Sequence, residues 1–351
     1  MSAAAYAIGN VASSVALVLV NKKVFSGGFA FPMTLSFFHF VFTVIWYQLL
    51  ALGGAYTKPG PGSGMSQFEK FKVALAGFAS IGLMNLSLNT NSVGFYQITK
   101  LTIIPVTLVI NAYAYGVTAP PKIKLALAIL LGGVGVATVT DVDLRPLGAL
   151  YGLSAVLTTA VFQIWQGTKQ KEFQVSATQL QAGIAPWQSF QALACAVLTE
   201  SSAVLTEAGA GEAPATSDGF FRGAFAGDEK MVRTLWIVLA TCFLALAVNL
   251  CSFGLIGRTS AITFQVVGHA KTCLVLIGGY VLFPAKLADT TQLYNNIMGV
   301  SIAMVGVILY GHLKHAASVG DGTDCLDATC PGCILTIIEP KYAPLPQLGR
   351  M

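Results

Sequence analysis

The sequence predicts an all-α membrane protein of about ten transmembrane helices, arranged as two inverted repeats of five. Three observations carry that expectation. More than half of the 351 residues are apolar and only 10% are charged, with a mean hydropathy of +0.70, whereas soluble domains are closer to a quarter charged. The apolar residues collect in stretches near the 20 residues that a bilayer requires. Short strings also recur, in the same order, in the two halves of the chain.

In order, the stretches are Ala3–Val20, Phe31–Leu52, Phe71–Leu88, Val93–Ala114, Ile123–Val139, Leu147–Trp165, Leu180–Leu198, Leu235–Phe253, Ala261–Phe283 and Leu293–Leu313. The short links around Thr90–Ser92 and Gly257–Ser260 leave nine or eleven spans open. Helices are the expected element, because such segments must satisfy their own backbone in lipid and the alternation of a barrel strand is absent. The first stretch starts almost at Met1 with no basic or Arg- and Ser-rich segment ahead of it, so it reads as a span and weighs against a plastid or mitochondrial presequence. With a cytosolic N-terminus, Lys58, Lys70, Lys72, Lys122, Lys124, Lys169, Lys171 and Arg258 fall on the cytosolic side. Lys22, Lys23, Arg145, Arg222, Lys230, Arg233 and Lys286 fall on the other. That thin margin leans toward cytosolic N- and C-termini. The Glu200–Glu229 loop, rich in carboxylate and glycine, leans the same way.

Ser92-Val-Gly-Phe-Tyr-Gln97 opens the fourth span and Ser260-Ala-Ile-Thr-Phe-Gln265 the ninth, and each leads to a lysine, Lys100 and Lys271. Span one exits through Asn21-Lys22-Lys23-Val24-Phe25 and span six through Thr168-Lys169-Gln170-Lys171-Glu172-Phe173. An odd number of spans per copy makes the second enter from the opposite side, the inverted repeat of many secondary transporters. The expected division is residues 1–143, residues 144–315 and a flexible cytosolic tail, 316–351.

Lys100 lies about seven residues into span four and Lys271 about ten into span nine, while all 15 carboxylates fall in loops, tails or span ends. A cation at the bilayer centre costs roughly 2.5–3.5 kcal/mol on insertion scales and normally faces a bundle interior or aqueous cavity. Two lysines at matching places would face one cavity, with an anion from solution as counter-ion. Snorkelling to an interface is the competing account, easier for Lys100 than for Lys271. Burial that leaves the empty site's lysines neutral is a third. An empty carrier holding two such charges reorients slowly and an anion-filled one readily, which predicts exchange. Span carboxylates for a proton relay are absent, leaving only His39 and His269.

Polar residues in or at the ends of the spans are the candidates for lining the cavity: Asn85, Asn89, Tyr96, Gln97, Thr99, Gln188, Asn249, Gln265 and Thr272, with Lys22 and His269. Some of them are expected to serve as interhelical glue. Gln97 with Lys100, and Gly268 with Lys271, stand three apart and share a face; Pro105 and Pro186 loosen backbone near mid-membrane. Asn85-Leu86-Ser87 fits a glycosylation acceptor but lies inside a span. Of seven cysteines, four sit in spans (Cys195, Cys242, Cys251, Cys273) and three in the tail (Cys325, Cys330, Cys333), which is no disulfide framework. A Walker loop, HExxH and paired CxxC are absent, and the tail cysteines lack a fourth ligand, so neither cofactor nor metal is expected. The spans hold no base or nucleophile cluster, against an enzyme, and no carboxylate for a cationic drug. The lipid bilayer is the expected partner, nucleic acid is not, and dimerisation stays open.

Five strings carry a resemblance over Met1 to about Lys314: Asn21-Lys22, FPMTLSFFHF in span two, SVGFYQITKLTIIP in span four, SATQLQ with APWQ in span seven, and SAITFQVVGHAKT in span nine. Together these resemble the triose-phosphate translocator and nucleotide-sugar transporter family. The resemblance implies the ten-helix drug/metabolite transporter fold, cytosolic termini, and exchange of a nucleotide sugar against a nucleoside monophosphate in the Golgi or endoplasmic reticulum. Lys271-Thr272 is similar to the pair that names a plant and algal group associated with UDP-galactose, UDP-rhamnose or UDP-xylose. Plastid phosphate translocators carry arginine where Thr272 stands, so the resemblance favours a diphosphate held by Lys100, Lys271 and Thr272, with Gln188 near the base or sugar. A plastid-type sugar-phosphate/phosphate exchanger is the alternative. The FYNN and GALNK strings of GDP-mannose transporters do not occur.

Overall fold

The computed structural model describes residues 2–26, 29, 31–59, 64–90, 93–138, 146–200, 217–282, 290–319 and 325–326. Among them it is helical throughout: α1 (Ala3–Ser26), α2 (Pro32–Leu52), α3 (Gln67–Thr90), α4 (Val93–Tyr115), α5 (Pro121–Thr138), α6 (Pro146–Glu172), α7 (Ala177–Glu200), the short α8 (Ser217–Phe225), α9 (Glu229–Arg258), α10 (Ala261–Leu282) and α11 (Thr290–Val319). Of these, α1, α2, α6, α9 and α11 are long and apolar enough, over described residues, to cross a membrane. The tail beyond residue 319, apart from Cys325 and Leu326, lies outside the described residues, as do Cys330 and Cys333.

Local chemistry starts several helices. Ser176 and Gln179 form a reciprocal capping box on α7: the Gln179 amide donates to Ser176 Oγ at 3.2 Å and the Ser176 amide to Gln179 Oε1 at 2.9 Å. Asp228 caps α9 by accepting from Met231 N at 3.0 Å, and Ser260 caps α10 by accepting from Thr263 N at 3.2 Å. Helix α2 has no such residue of its own, since Phe31 precedes it. Glu200, counted above with the acidic loop, is instead the last residue of α7 and buried. Its carboxylate accepts from Met33 N at 2.7 Å, Thr34 N at 2.8 Å and Thr34 Oγ1 at 2.7 Å. A distant carboxylate thus satisfies the orphan amides at a helix N-terminus, where its charge is also favoured. Beside it Phe29 packs edge-on against Phe31 and the α8 residue Phe220, at centroid separations of 5.3 and 5.0 Å.

The faces of α6 and α7 are arranged for lipid. On α6 the buried positions are largely small or polar, among them Gly148, Gly152, Ala155, Thr159 and Gln163, while Leu147, Leu150, Leu153 and Leu157 point outward. On α7 the buried face carries Gln181, Gln188, Ala192 and Ala196, and Phe190, Leu193 and Val197 are exposed. Small residues let helices approach, and large apolar ones face a solvent as apolar as themselves.

The chain divides into two compact units. The first, Met1–Thr90 with Pro146–Phe264, contains α1–α3 and α6–α9. Within it α1 packs on α9, α3 on α6 and α7, and α2 on α7 and α9. Each principal pair carries a buried polar link: Asn10 Nδ2 donates to Ser252 Oγ at 2.9 Å, Ser80 and Thr159 hydroxyls meet at 2.6 Å, and Tyr47 donates to Gln181 Oε1 at 3.0 Å. At one end of the α3–α6 pair, Lys169 spans Glu69 at 3.1 Å and Glu172 at 2.9 Å, and Lys72 also pairs with Glu69. The second unit, Asn91–Arg145 with Gln265–Met351, contains α4, α5, most of α10 and α11. Its tightest pair is α5 on α11. A Cβ on Gly133 would collide with the Ala303 backbone nitrogen and meet Gly299 O at 2.7 Å, and one on Gly299 would meet Gly133 O at 2.6 Å. Lys122, expected in a loop, is buried in the first turn of α5.

Two predictions follow from these contacts. Gly133→Ala should lower thermal stability in detergent by about 1–3 kcal/mol, the range for overpacking against backbone that cannot yield. Gly132→Ala, whose added Cβ meets nothing within 4 Å, should leave the melting curve unchanged or slightly raised. Glu200→Ala should cost about 1–2 kcal/mol through loss of the α2 cap, with Glu200→Gln retaining part of it, both read by the same melts.

Candidate functional site

In the second unit, α4 and α10 present the residues that the sequence singles out around its two span lysines. Lys100 is the eighth residue of α4 and Lys271 the eleventh of α10. Both side chains are partly buried. The Lys100 ammonium lies close enough to act electrostatically on both His269 and Lys271. Two cations and an imidazole from helices far apart in sequence therefore share one region.

The α10 positions Gln265, Gly268, His269 and Thr272 follow the i, i+3, i+4, i+7 spacing of one helix face. Gln265 and His269 are buried, and His269 Nε2 is buried without a hydrogen-bond partner among the described residues. Thr272 donates its hydroxyl back to Gly268 O at 3.2 Å. Space beside Gly268 is open, with nothing within 4 Å of where a Cβ would stand. On α4, Thr99 is buried next to Lys100, and Pro105 lies inside the helix, where it removes one backbone hydrogen bond.

In the first unit, a cavity of about 340 Å³ lies among α1, α2, α3 and α9, lined by Asn21, Ser36, His39 and Asn249 with apolar neighbours. Asn249 is one of the sequence candidates; Asn21 stood only within a motif. Asn21 is eleven residues beyond Asn10, three helical turns, and so lies on the α1 face that bonds Ser252 of α9. Thr241, Asn249 and Ser252 likewise follow one stripe of α9. His39 Nε2 is 2.9 Å from Thr241 Oγ1, and Thr241 donates its single hydroxyl proton to Val238 O at 2.6 Å. The threonine oxygen must then accept, so the neutral His39 ring carries its proton on Nε2.

Gln188 is buried in α7, where its amide nitrogen lies 3.0 Å from the position a Cβ on Gly77 would take; it packs at the α3–α7 contact and is not among the lining residues of that cavity. The side chains of Lys22, Asn85, Asn89, Tyr96 and Gln97 lie outside the described residues, although their backbones are helical. A second cavity, about 380 Å³, opens among the C-terminal end of α2, the start of α3 and α7; Lys58, Lys70, Tyr47, Gln179 and Trp187 line it. Sequence reasoning missed it because its cations sit in an ordinary loop and a helix end.

All-helical construction, outward-facing leucines and polar links between helices together mark a multi-pass membrane protein. The chain belongs to the triose-phosphate transporter family, whose model matches residues 3–311. Among similar proteins of Arabidopsis thaliana, UDP-xylose transporter 2 is 38% identical over 309 residues, 86% of this chain and 79% of that one. UDP-xylose transporter 3 is 37% identical, covering 86% and 78%. UDP-rhamnose/UDP-galactose transporter 1 is 33% identical over 305 residues, covering 86% and 80%. The expectation that the chain is a carrier and not an enzyme is borne out.

Proposed function

We propose that the chain is a nucleotide-sugar antiporter: it moves a UDP-sugar of the galactose, rhamnose or xylose type into the Golgi lumen in exchange for UMP, by alternating access. Lys100 and Lys271 bind the diphosphate with help from Thr272. The observation that carries this reading is the pair of span lysines within electrostatic reach of each other. Like charges repel strongly where the dielectric is low. A diphosphate that accepts from both relieves the repulsion and gains charge-assisted hydrogen bonds. The Thr272 hydroxyl adds a neutral contact where a second fixed charge would suit a compact phosphate ester, which favours UDP-sugars over triose phosphates. Six relatives at 31–38% identity are named UDP-sugar transporters, which supports the same cargo.

Exchange follows from the same charges. An empty carrier must bring two ammonium groups through an occluded state, whereas a loaded one moves them with their anion. Alternating access fits the duplication read from the sequence. If α1–α7 are spans one to seven and α9–α11 spans eight to ten, exchanging span n with span n+5 turns the α1–α9 pair into α6–α3 and α2–α9 into α7–α3. It returns α2–α7 and α5–α11 to themselves. These six pairs thus have counterparts under that operation, which supports a reading as two repeats of five spans. An even number of spans puts both termini on one side, which we assign to the cytosol.

Exchange in liposomes preloaded with UMP and offered labelled nucleotide sugars tests this reading. UDP-sugar uptake should require internal UMP, and Lys271→Ala should lower it about 10- to 100-fold, the equivalent of one lost charge-assisted contact. Lys271→Arg should keep part of the activity. Transport by Lys271→Ala at the wild-type rate overturns the role of the lysine. Exchange of triose phosphate for phosphate instead assigns the chain to the plastid-type reading.

A further inference from the structure

We propose that the cavity among the C-terminal end of α2, the start of α3 and α7 binds the phosphomonoester headgroup of an anionic membrane lipid, with Lys58 and Lys70 holding the phosphate. Its lining residues all belong to the first unit, and the site would serve whichever cargo the chain carries. The charged groups among its described lining residues are the two lysines, Lys58 from the loop after α2 and Lys70 from the first turn of α3. Glu69, next to Lys70 in the chain, is engaged with Lys72 and Lys169. Two cations in one cavity call for a ligand with more than one negative charge, which a phosphomonoester supplies.

Both cations and the walls around them are held in place. Lys58 Nζ donates to Gln48 Oε1 at 3.1 Å, which uses one of its three protons. The Lys70 stem lies along α7 beside Gly183, its Cε 3.4 Å from where a Cβ on that glycine would stand. Gln179 Nε2 donates to Thr57 O at 3.0 Å and Trp187 Nε1 to Gln67 Oε1 at 3.3 Å, so α7 is tied both to the loop and to α3. A site ordered beforehand loses little entropy when its ligand arrives.

Position selects a lipid as the source of the phosphate. The cavity lies where α2 ends and α3 begins, the level at which a span meets the headgroups. Tyr47, Tyr56 and Trp187 line it, the aromatic types enriched at that level. Leu49 and Leu52 in the last turn of α2 and Phe68 in the first turn of α3 are exposed, apolar surface for acyl chains on the same helix ends. Basic pockets between helices at a membrane face suit phosphorylated headgroups. At about 380 Å³ the cavity has room for a phosphorylated polyol. Phosphatidylcholine brings an ammonium with its phosphate and offers the lysines no net charge.

Native mass spectrometry of purified protein in detergent, titrated with dioleoyl phosphatidylinositol 4-phosphate or dioleoyl phosphatidylcholine, tests the assignment. Wild-type protein should prefer the phosphoinositide by about 10- to 100-fold, the effect expected of two lysines at a membrane surface. Lys58→Gln combined with Lys70→Gln should bring the preference within about threefold. Lys124→Gln combined with Lys171→Gln removes as much charge from exposed positions outside the cavity and should retain it. Equal wild-type binding of the two lipids overturns the assignment without any variant. So does a preference that survives in the cavity variant, or one lost equally in both double variants, which marks a diffuse basic surface. Inositol 1,4-bisphosphate, the headgroup without its chains, should compete about 100-fold or more weakly than the lipid, because the acyl contacts are gone. Competition at equal concentration makes a free polyol phosphate the ligand and overturns the lipid source. Displacement of the lipid by UMP places cargo in this cavity and overturns the assignment too. Transport is not read in any arm, so failure here leaves the nucleotide-sugar reading standing, and failure of that reading leaves this site standing.

Discussion

Lipid offers no hydrogen bonds, and most of what is seen here follows from that deficiency. Each segment must close its backbone bonds within itself, which leaves helices as the element. Helix ends and polar side chains are then the places where polar demand remains, and much of it is met locally or by a partner from another helix. Ser176, Asp228 and Ser260 meet it locally. Glu200 meets it for α2 across the 166 residues that separate it from Thr34. A buried carboxylate is tolerable there because three donors surround it; it ties the end of α7 to the beginning of α2.

The same constraint separates structural polarity from functional polarity. Asn10 with Ser252, Ser80 with Thr159 and Tyr47 with Gln181 are satisfied pairs between packed helices, and such pairs stabilise modestly while fixing register. Lys100 and Lys271 are of another kind, since they are like charges within electrostatic reach of each other. Asn21 has an acceptor with nothing to accept among the described residues. An unmet acceptor of this kind is a cost to the fold.

Glycine works by subtraction. At Gly133 and Gly299 the absent side chain lets two backbones touch, whereas beside Gly132 and Gly268 there is open space. The α5–α11 contact is thereby made by main chain, which does not adjust as a side chain would. Within the second unit this rigid pair contrasts with α4, whose Pro105 interrupts its hydrogen-bond ladder near the middle.

Hydropathy is a local property judged against a uniform solvent, so the sequence by itself determined the all-helical membrane class and the approximate limits of the long helices, and it showed two lysines where lipid should exclude them. The family was equally legible, because its motifs are contiguous strings such as SAITFQVVGHAKT. Partners were not. Nothing in the strings distinguishes Gly132 from Gly133, assigns Glu200 to a helix cap and not to an acidic loop, or separates Gln188, packed against Gly77, from Asn249, which lines a cavity. Those differences depend on which helix lies opposite, and the opposing groups are often 79 to 242 residues away in the chain. The tertiary structure alone decided them, because satisfying a buried polar atom requires a particular partner within hydrogen-bonding distance, and only packing brings that partner there.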